Sequence, residues 1–201
     1  MPRTYEMATR AAAKERTRAA ILDAAFEQFS GSWFDEVTMA QVARRAGVSQ
    51  QTVVNHFGSK MGLYLAGLEE IVAPRIVAAR SGITPGDVQA VVDAVLRDYE
   101  ETGDGTVRTE ALALRDADLA EVVASGRRAH RSWVAEMFAP RLGGVPEPDR
   151  RRLVTLLSLA LDAATWHRLR RDEGLGRAEV RRHLVQLVER LLPEAADNGG
   201  G

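Results

Sequence analysis

Apolar residues recur along this chain at intervals of three and four, and no stretch alternates as a strand would. Leu22, Ala25, Phe26 and Phe29 fall at i, i+3, i+4 and i+7, which predicts a helix over about 14–29 with one apolar stripe. Ser30-Gly31-Ser32 ends it, and Trp33 and Phe34 are expected to tuck back as core aromatics. Two short helices follow on either side of Gly47. A fourth, opening at Lys60, carries Leu63, Leu65, Leu68, Ile71 and Val72, and Pro74 should end or kink it. Beyond the loop at 81–87, Val88, Val91, Val92, Val95, Leu96 and Tyr99 line another helix, which Thr102-Gly103-Asp104-Gly105 should break. A short helix through Leu112 and Leu114 comes next. A longer one over about 118–138 carries Val122, Val123, Trp133, Val134 and Met137, and 140–148 reads as a Gly/Pro-rich connection. The pattern predicts an all-α chain.

The last helices are apolar on more than one face. Leu153, Leu156, Leu157, Ala160, Leu161 and Ala164 form one stripe, and Leu159, Ala163 and Trp166 a second. A helix apolar on two faces needs two partners. Gly174-Leu175-Gly176 separates it from a helix with Val180, Leu184, Leu187, Val188 and Leu191. The expectation is an antiparallel pair that meets its own copy in a four-helix interface built from Leu153, Leu156, Leu157, Leu161, Val180, Leu184, Leu187 and Leu191; the alternative is that both faces are buried within one chain.

The densest information lies in 38–60, TMAQVARRAGVSQQTVVNHFGSK. Thr38 with Gln41 three residues on has the reciprocal pattern of a capping box. Val42, Ala43 and Ala46 would face inward, small enough for a close helix approach. Gly47 stands where a sharp turn needs positive φ. Val48 plugs the turn, and Ser49 can cap the next helix. Val53 and Phe57 face inward from it, while its other faces carry Gln50, Gln51, Thr52, Asn55 and His56. Amides and hydroxyls on a short exposed helix are what base edges in a major groove call for. This stretch reads as a helix-turn-helix with its recognition helix at 50–56. Gln50, Gln51, Thr52 and Asn55 are the candidate base readers. Thr38, Ser49, His56 and Lys60 are candidate phosphate contacts, with Arg44 and Arg45 next. For Lys60 the helix N-terminus behind it adds a favourable field for an anion.

GVSQQTVVNHFGSKMGLYLAGL resembles the DNA-binding signature of the TetR family of bacterial transcriptional regulators, and the likeness runs over roughly 16–68. It takes in the upstream helix ending Phe26-Glu27-Gln28-Phe29 and the spacing from Thr38 through Gly47 to Phe57 and Lys60. One position departs: the family usually has an aromatic, commonly Tyr and typically touching a phosphate, where this chain has Val54. The resemblance implies a dimeric regulator on double-stranded DNA with a palindromic operator, most often a repressor. It also implies a small-molecule effector bound in the C-terminal helices.

Composition sets limits on this picture. The 201 residues are 45% hydrophobic, enough for one or two cores, and the net charge of −1 excludes a general basic coat. Residues 1–20 nonetheless hold five basic side chains (Arg3, Arg10, Lys14, Arg16, Arg18) against Glu6 and Glu15, so this irregular or partly helical arm is either a groove contact or a solvated terminus. The chain contains no cysteine, which excludes disulfides, thiolate metal sites and a cysteine nucleophile. No apolar run reaches membrane-span length and no signal-peptide core opens the chain, so a cytoplasmic protein away from the membrane is expected.

His56, His130, His167 and His183 form no HExxH or i, i+4 metal pair, and no GxSxG or phosphate-binding glycine pattern occurs. No cofactor, metal or catalysis is expected. Tyr99, Trp133, Met137 and Trp166 on inward faces could instead enclose a hydrophobic or amphipathic effector, with His130, Arg115 and Glu110 as possible anchors. The expected domains are 1–60, a helix-turn-helix DNA-binding domain with its arm, 61–192, a helical effector-binding and dimerisation domain, and a disordered tail at 193–201. The other reading these residues leave open is a helical small-molecule-binding protein or enzyme whose helix-turn-helix no longer binds DNA.

Overall fold

A computed structural model describes residues 2–193, with side chains from residue 9 onward. The expected tail lies outside these residues except for Pro193, as do the side chains of Arg3 and Glu6. Among the described residues every regular element is helical, and the chain divides into two compact units, Met1–Ile76 and Val77–Gly201.

The first unit contains α1 (Pro2–Gly31), a single 3-10 turn (Phe34–Glu36), α2 (Met39–Ala46), α3 (Gln50–Phe57) and α4 (Lys60–Gly67). α1 begins far before residue 14, where the apolar stripe suggested a start. Pro2 suits a first helical position, and Ala11-Ala12-Ala13 are the best helix formers available, so propensity carries the helix where no core face exists. Ile21, Leu22 and Ala25 of α1, Val42 and Ala43 of α2, Val53 of α3 and Leu63 of α4 form one buried cluster. Each fully buried Ile, Leu or Val contributes roughly 1.5–3 kcal/mol by leaving water. Trp33 does not join them. It is 54% exposed, and the apolar group taken inside at this turn is Val37. Phe34 is half-buried instead, stacked on Phe29 at 5.9 Å and meeting the edge of Tyr64 at 5.3 Å.

Pro74 does not end the fourth helix. One π-turn, Leu68–Val72, intervenes before α5 (Ala73–Arg80), and the Ala73 N–H reaches back to Leu68 O. The wider turn sits just ahead of the proline, where its ring and missing donor would disturb a regular i to i−4 ladder.

The second unit is arranged around α6 (Val88–Ala113), which packs against α7 (Ala117–Leu142), α9 (Ala163–His167) and α10 (Arg177–Leu191); α8 (Glu147–Ala160) packs on α7 and α10. The expected break at 102–105 is absent. Gly103 is there for a neighbour: a Cβ on it would stand 2.4 Å from Trp166 Cζ3, so the missing side chain lets the indole lie on α6. Thr102 stays helical by donating its hydroxyl to Asp98 O at 2.9 Å. Likewise α7 continues through Pro140 to Leu142, and Phe138 and Leu142 are both buried there. The helix predicted over the 153–166 stripes is interrupted instead. α8 ends at Ala160, Tyr99 Oη donates to the Leu161 carbonyl at 3.2 Å, and Asp162 caps α9 through Thr165 N at 2.7 Å.

This packing corrects the expected interface set. Leu157, Leu161, Val180 and Leu184 are inside the unit's own core, and Leu153 and Leu191 pack partly against it. A side chain fully enclosed by its own chain presents no surface to a copy. Of the eight, Leu156 and Leu187 remain exposed, at 39% and 42%, and Leu159, three residues after Leu156, is 55% exposed.

Two glycines of α6 separate close packing from helix propensity. Gly103→Ala is expected to lower unfolding stability by about 1–3 kcal/mol through overpacking. At Gly105 a Cβ meets nothing within 4 Å. Gly105→Ala is therefore expected to raise stability by about 0.5–1 kcal/mol, and urea denaturation of both variants checks the pair.

Candidate functional site

The helix-turn-helix is built as its sequence suggests. Thr38 caps α2: its Oγ1 accepts from Gln41 N at 3.2 Å, and its own N–H donates to Gln41 Oε1 at 2.7 Å. Two orphan amides of the helix start are satisfied reciprocally. α2 ends on Gly47, left-handed at φ 70° and ψ 29°, a conformation a side chain would strain. Val48 N returns to Ala43 O at 3.0 Å and closes the turn. Ser49 then caps α3 by accepting from Thr52 N at 3.1 Å. A further close approach fixes the start of α4. A Cβ at Gly62 would lie 2.3 Å from Phe57 O, so only glycine lets α4 start this near the end of α3.

With α3 held by Val53 on its inner side, Gln50, Gln51 and Asn55 are exposed, and Thr52, Val54 and His56 are half-buried. Gln51 Nε2 donates to Asn55 Oδ1 at 2.9 Å, which aligns two amides along one face. Thr52 Oγ1 lies 2.8 Å from Ser49 Oγ. The surface combines amide donors and acceptors with the short apolar Val54 and carries no carboxylate.

The candidate phosphate contacts are not equivalent. Thr38 and Ser49 are exposed but serve as caps. Arg44 is exposed, and Arg45 pairs with Glu27 across half-exposed side chains, a contact of little energetic weight. Lys60 is placed otherwise than expected. Its Nζ donates to Phe34 O at 2.9 Å and Val37 O at 3.0 Å and lies 4.3 Å from the Phe34 ring centroid. The ammonium thus satisfies the carbonyls left by the 3-10 turn and ties that turn to α4.

In the second unit Tyr99, Met137 and Trp166 are buried, and Trp133 packs against the same core. Trp166 and Tyr99 lie 6.1 Å apart, and Trp166 Nε1 donates to Glu100 Oε1 at 3.3 Å. Burial pushes the Tyr99 phenol up, so it stays neutral and acts as a donor to Leu161 O. Of the expected anchors, Arg115 is exposed and Glu110 pairs with Arg127 at 3.1 Å. His130 is inside. Its Nε2 lies 3.3 Å from Ser158 O, and burial, with Arg80's charge, lowers its pKa to about 4. The sequence reading missed Arg80 and Asp98, which pair at 3.1 Å with the carboxylate almost wholly buried. The signal was present: Asp98 and Thr102 continue the Val91, Val95 stripe at helical spacing, polar residues on an apolar face.

Residues 21–66 match the family model described as bacterial regulatory proteins, tetR family. Over that stretch the chain is similar to the DNA-binding region of the TetR family. Similarity to TetR-family proteins extends beyond that stretch. The HTH-type transcriptional regulator BetI of Klebsiella pneumoniae (strain 342) is 26% identical over 185 residues, 90% of this chain and 83% of that protein. A TetR-family regulator from Rhodococcus sp. superposes with a TM-score of 0.69 at 20% identity, covering 89% of this chain and 100% of the other. A regulator from Saccharomonospora viridis, solved in complex with choline, gives 0.67 at 21%, covering 89% and 98%. These structures share the fold, an N-terminal helix-turn-helix domain followed by an all-helical domain.

The neutral His130 carries a pH signature. Unfolded, its imidazole titrates near the ordinary 6.5; folded, near 4. Between those values the unfolded chain binds more protons, so stability falls as pH drops from about 6.5 and levels off near 4, a loss of about 3 kcal/mol. His130→Gln is expected to remove that part of the slope in denaturation measured across this range.

Proposed function

We propose that this chain is a dimeric transcriptional regulator that binds a near-palindromic operator and is released from it by a small molecule, acting as a repressor. The observation that carries the reading is the exposed, uncharged amide face of Gln50, Gln51 and Asn55 on a helix capped by Ser49. Such a face suits base edges in the major groove, where amides pair with adenine and Val54 can meet a thymine methyl. Arg44, with Arg10, Lys14 and Arg16 of α1, supplies the cations for phosphate. The exposed Leu156, Leu159 and Leu187 suit a self-complementary contact, and a two-fold dimer implies half-sites about one helical turn or more apart.

Release requires a ligand that binds the DNA-incompetent state more tightly. We place it in the second unit beside Trp133, Met137, Tyr99 and Trp166, with residues 60–80 as the covalent link by which its binding bears on the first unit. A cationic ligand would find one face of Trp133 already taken, because Arg80 lies 4.7 Å from its ring centroid.

Selection of bound fragments from random duplex DNA at moderate salt tests the reading. A recovered palindrome is the expected result. Salt-sensitive binding with no consensus would contradict it and favour a helical ligand-binding protein whose helix-turn-helix is a remnant. On the recovered site, Gln51→Ala or Asn55→Ala should cost about 1–3 kcal/mol at one position. Lys60→Met should leave the salt slope of binding unchanged, because its ammonium is engaged on Phe34 and Val37.

A further inference from the structure

Around Trp133 three buried polar atoms lack a hydrogen-bond partner: Arg80 Nε, Trp133 Nε1 and His130 Nδ1. They belong to one cluster. The Arg80 guanidinium lies 4.7 Å from the Trp133 ring centroid, and the His130 ring 6.2 Å from it. Asp98 orients Arg80 by accepting from its terminal nitrogen at 3.1 Å, and the Thr102 hydroxyl, whose one proton is shared with the Asp98 backbone carbonyl, lies 2.9 Å from the other carboxylate oxygen. Arg80 Nε–H is left facing no acceptor.

The hydrogen-bonding sense of each atom can be assigned. Arg80 Nε and Trp133 Nε1 are donors only. His130 Nε2 faces a carbonyl, which can only accept, so that nitrogen carries the proton. The imidazole is neutral near pH 7, and Nδ1 is therefore a bare acceptor. The cluster offers two donors and one acceptor. A carboxylate could not donate to Nδ1, and an ammonium could not accept from either N–H. A hydroxyl does both: it has two lone pairs and one proton.

We infer that the cluster of Arg80, His130 and Trp133 is the polar end of the effector site and takes a neutral hydroxyl, that of a phenol or alcohol on an otherwise apolar molecule. The inference rests on the reading of the second unit as the effector-binding unit. Its apolar end is supplied by the core against which Trp133 packs, including Tyr99, Met137 and Trp166. Water offers the same chemistry, and a comparison of matched probes separates the two sources.

The test uses the full chain without DNA, and pairs phenol with toluene and naphthol with methylnaphthalene, so that a methyl replaces the hydroxyl at nearly constant shape. Naphthol is expected to bind about tenfold or more tighter than methylnaphthalene in calorimetry. Among the three indole N–H resonances in proton–nitrogen spectra, that of Trp133 should move with naphthol and not with its methyl partner. Trp133→Phe keeps an aromatic ring, smaller than the indole, and removes the N–H; it should weaken naphthol by about tenfold more than it weakens methylnaphthalene. The resonance measurement needs no variant and decides the matter if Trp133→Phe fails to fold. Equal binding of both members, binding of neither, or an unmoved Trp133 resonance would overturn the inference and assign the three atoms to ordered water. None of these outcomes touches operator binding, which is read separately on the selected duplex.

Discussion

The left-handed turn at Gly47 decides what the first unit shows to its surroundings. With φ at 70° the chain reverses within one residue, Val48 returns to Ala43, and Ser49 is delivered to the start of α3 as its cap. Rotate that turn and Val53 leaves the core, while the Gln51–Asn55 pair leaves the surface. The other end is fixed as tightly, because Gly62 stands under the Phe57 carbonyl where any side chain would collide. An eight-residue helix is too short to be stable by itself. Here it is held by two termini and one buried valine, and its remaining faces are free to carry recognition chemistry.

Much of this was legible in the sequence because the signals were local. Thr38 and Gln41 cap α2 as their spacing foretells, and Gly47 and Ser49 take the conformations that their positions require. What was not legible depended on contacts between residues distant in the chain. Gly103 looks like a helix breaker until Trp166, far along the sequence, lies on it. Pro74 looks like a terminator, yet a π-turn absorbs it. Lys60 looks like a phosphate contact until two carbonyls of a 3-10 turn occupy its ammonium. Periodicity marked Leu157, Leu161, Val180 and Leu184 as apolar, and it does not say whether such a face meets its own chain or a copy; these four meet their own.

The second unit spends stability on polarity inside its core. A buried Arg80–Asp98 pair gains little over apolar packing, and each unpartnered polar atom beside it costs about 1–3 kcal/mol if left unfilled. Among the described residues the first unit shows no comparable expense: its nine-residue buried cluster is wholly apolar. The contrast divides the labour between the units. On the reading proposed above, one is a scaffold for an exposed helix, and the other holds unsatisfied groups that a ligand would meet.

The central claim is that α3 reads bases from the major groove, and groove-specific base analogues test it most directly. Affinity would be measured for the selected duplex with 7-deazapurines, which lack the major-groove N7 acceptor, and with 3-deazapurines, which lack the minor-groove N3. The account predicts a loss of about 1–3 kcal/mol for 7-deaza substitution at a contacted purine and no loss for 3-deaza substitution within the half-sites. A loss confined to the 3-deaza duplexes, with the 7-deaza duplexes bound as tightly as the parent, would contradict it.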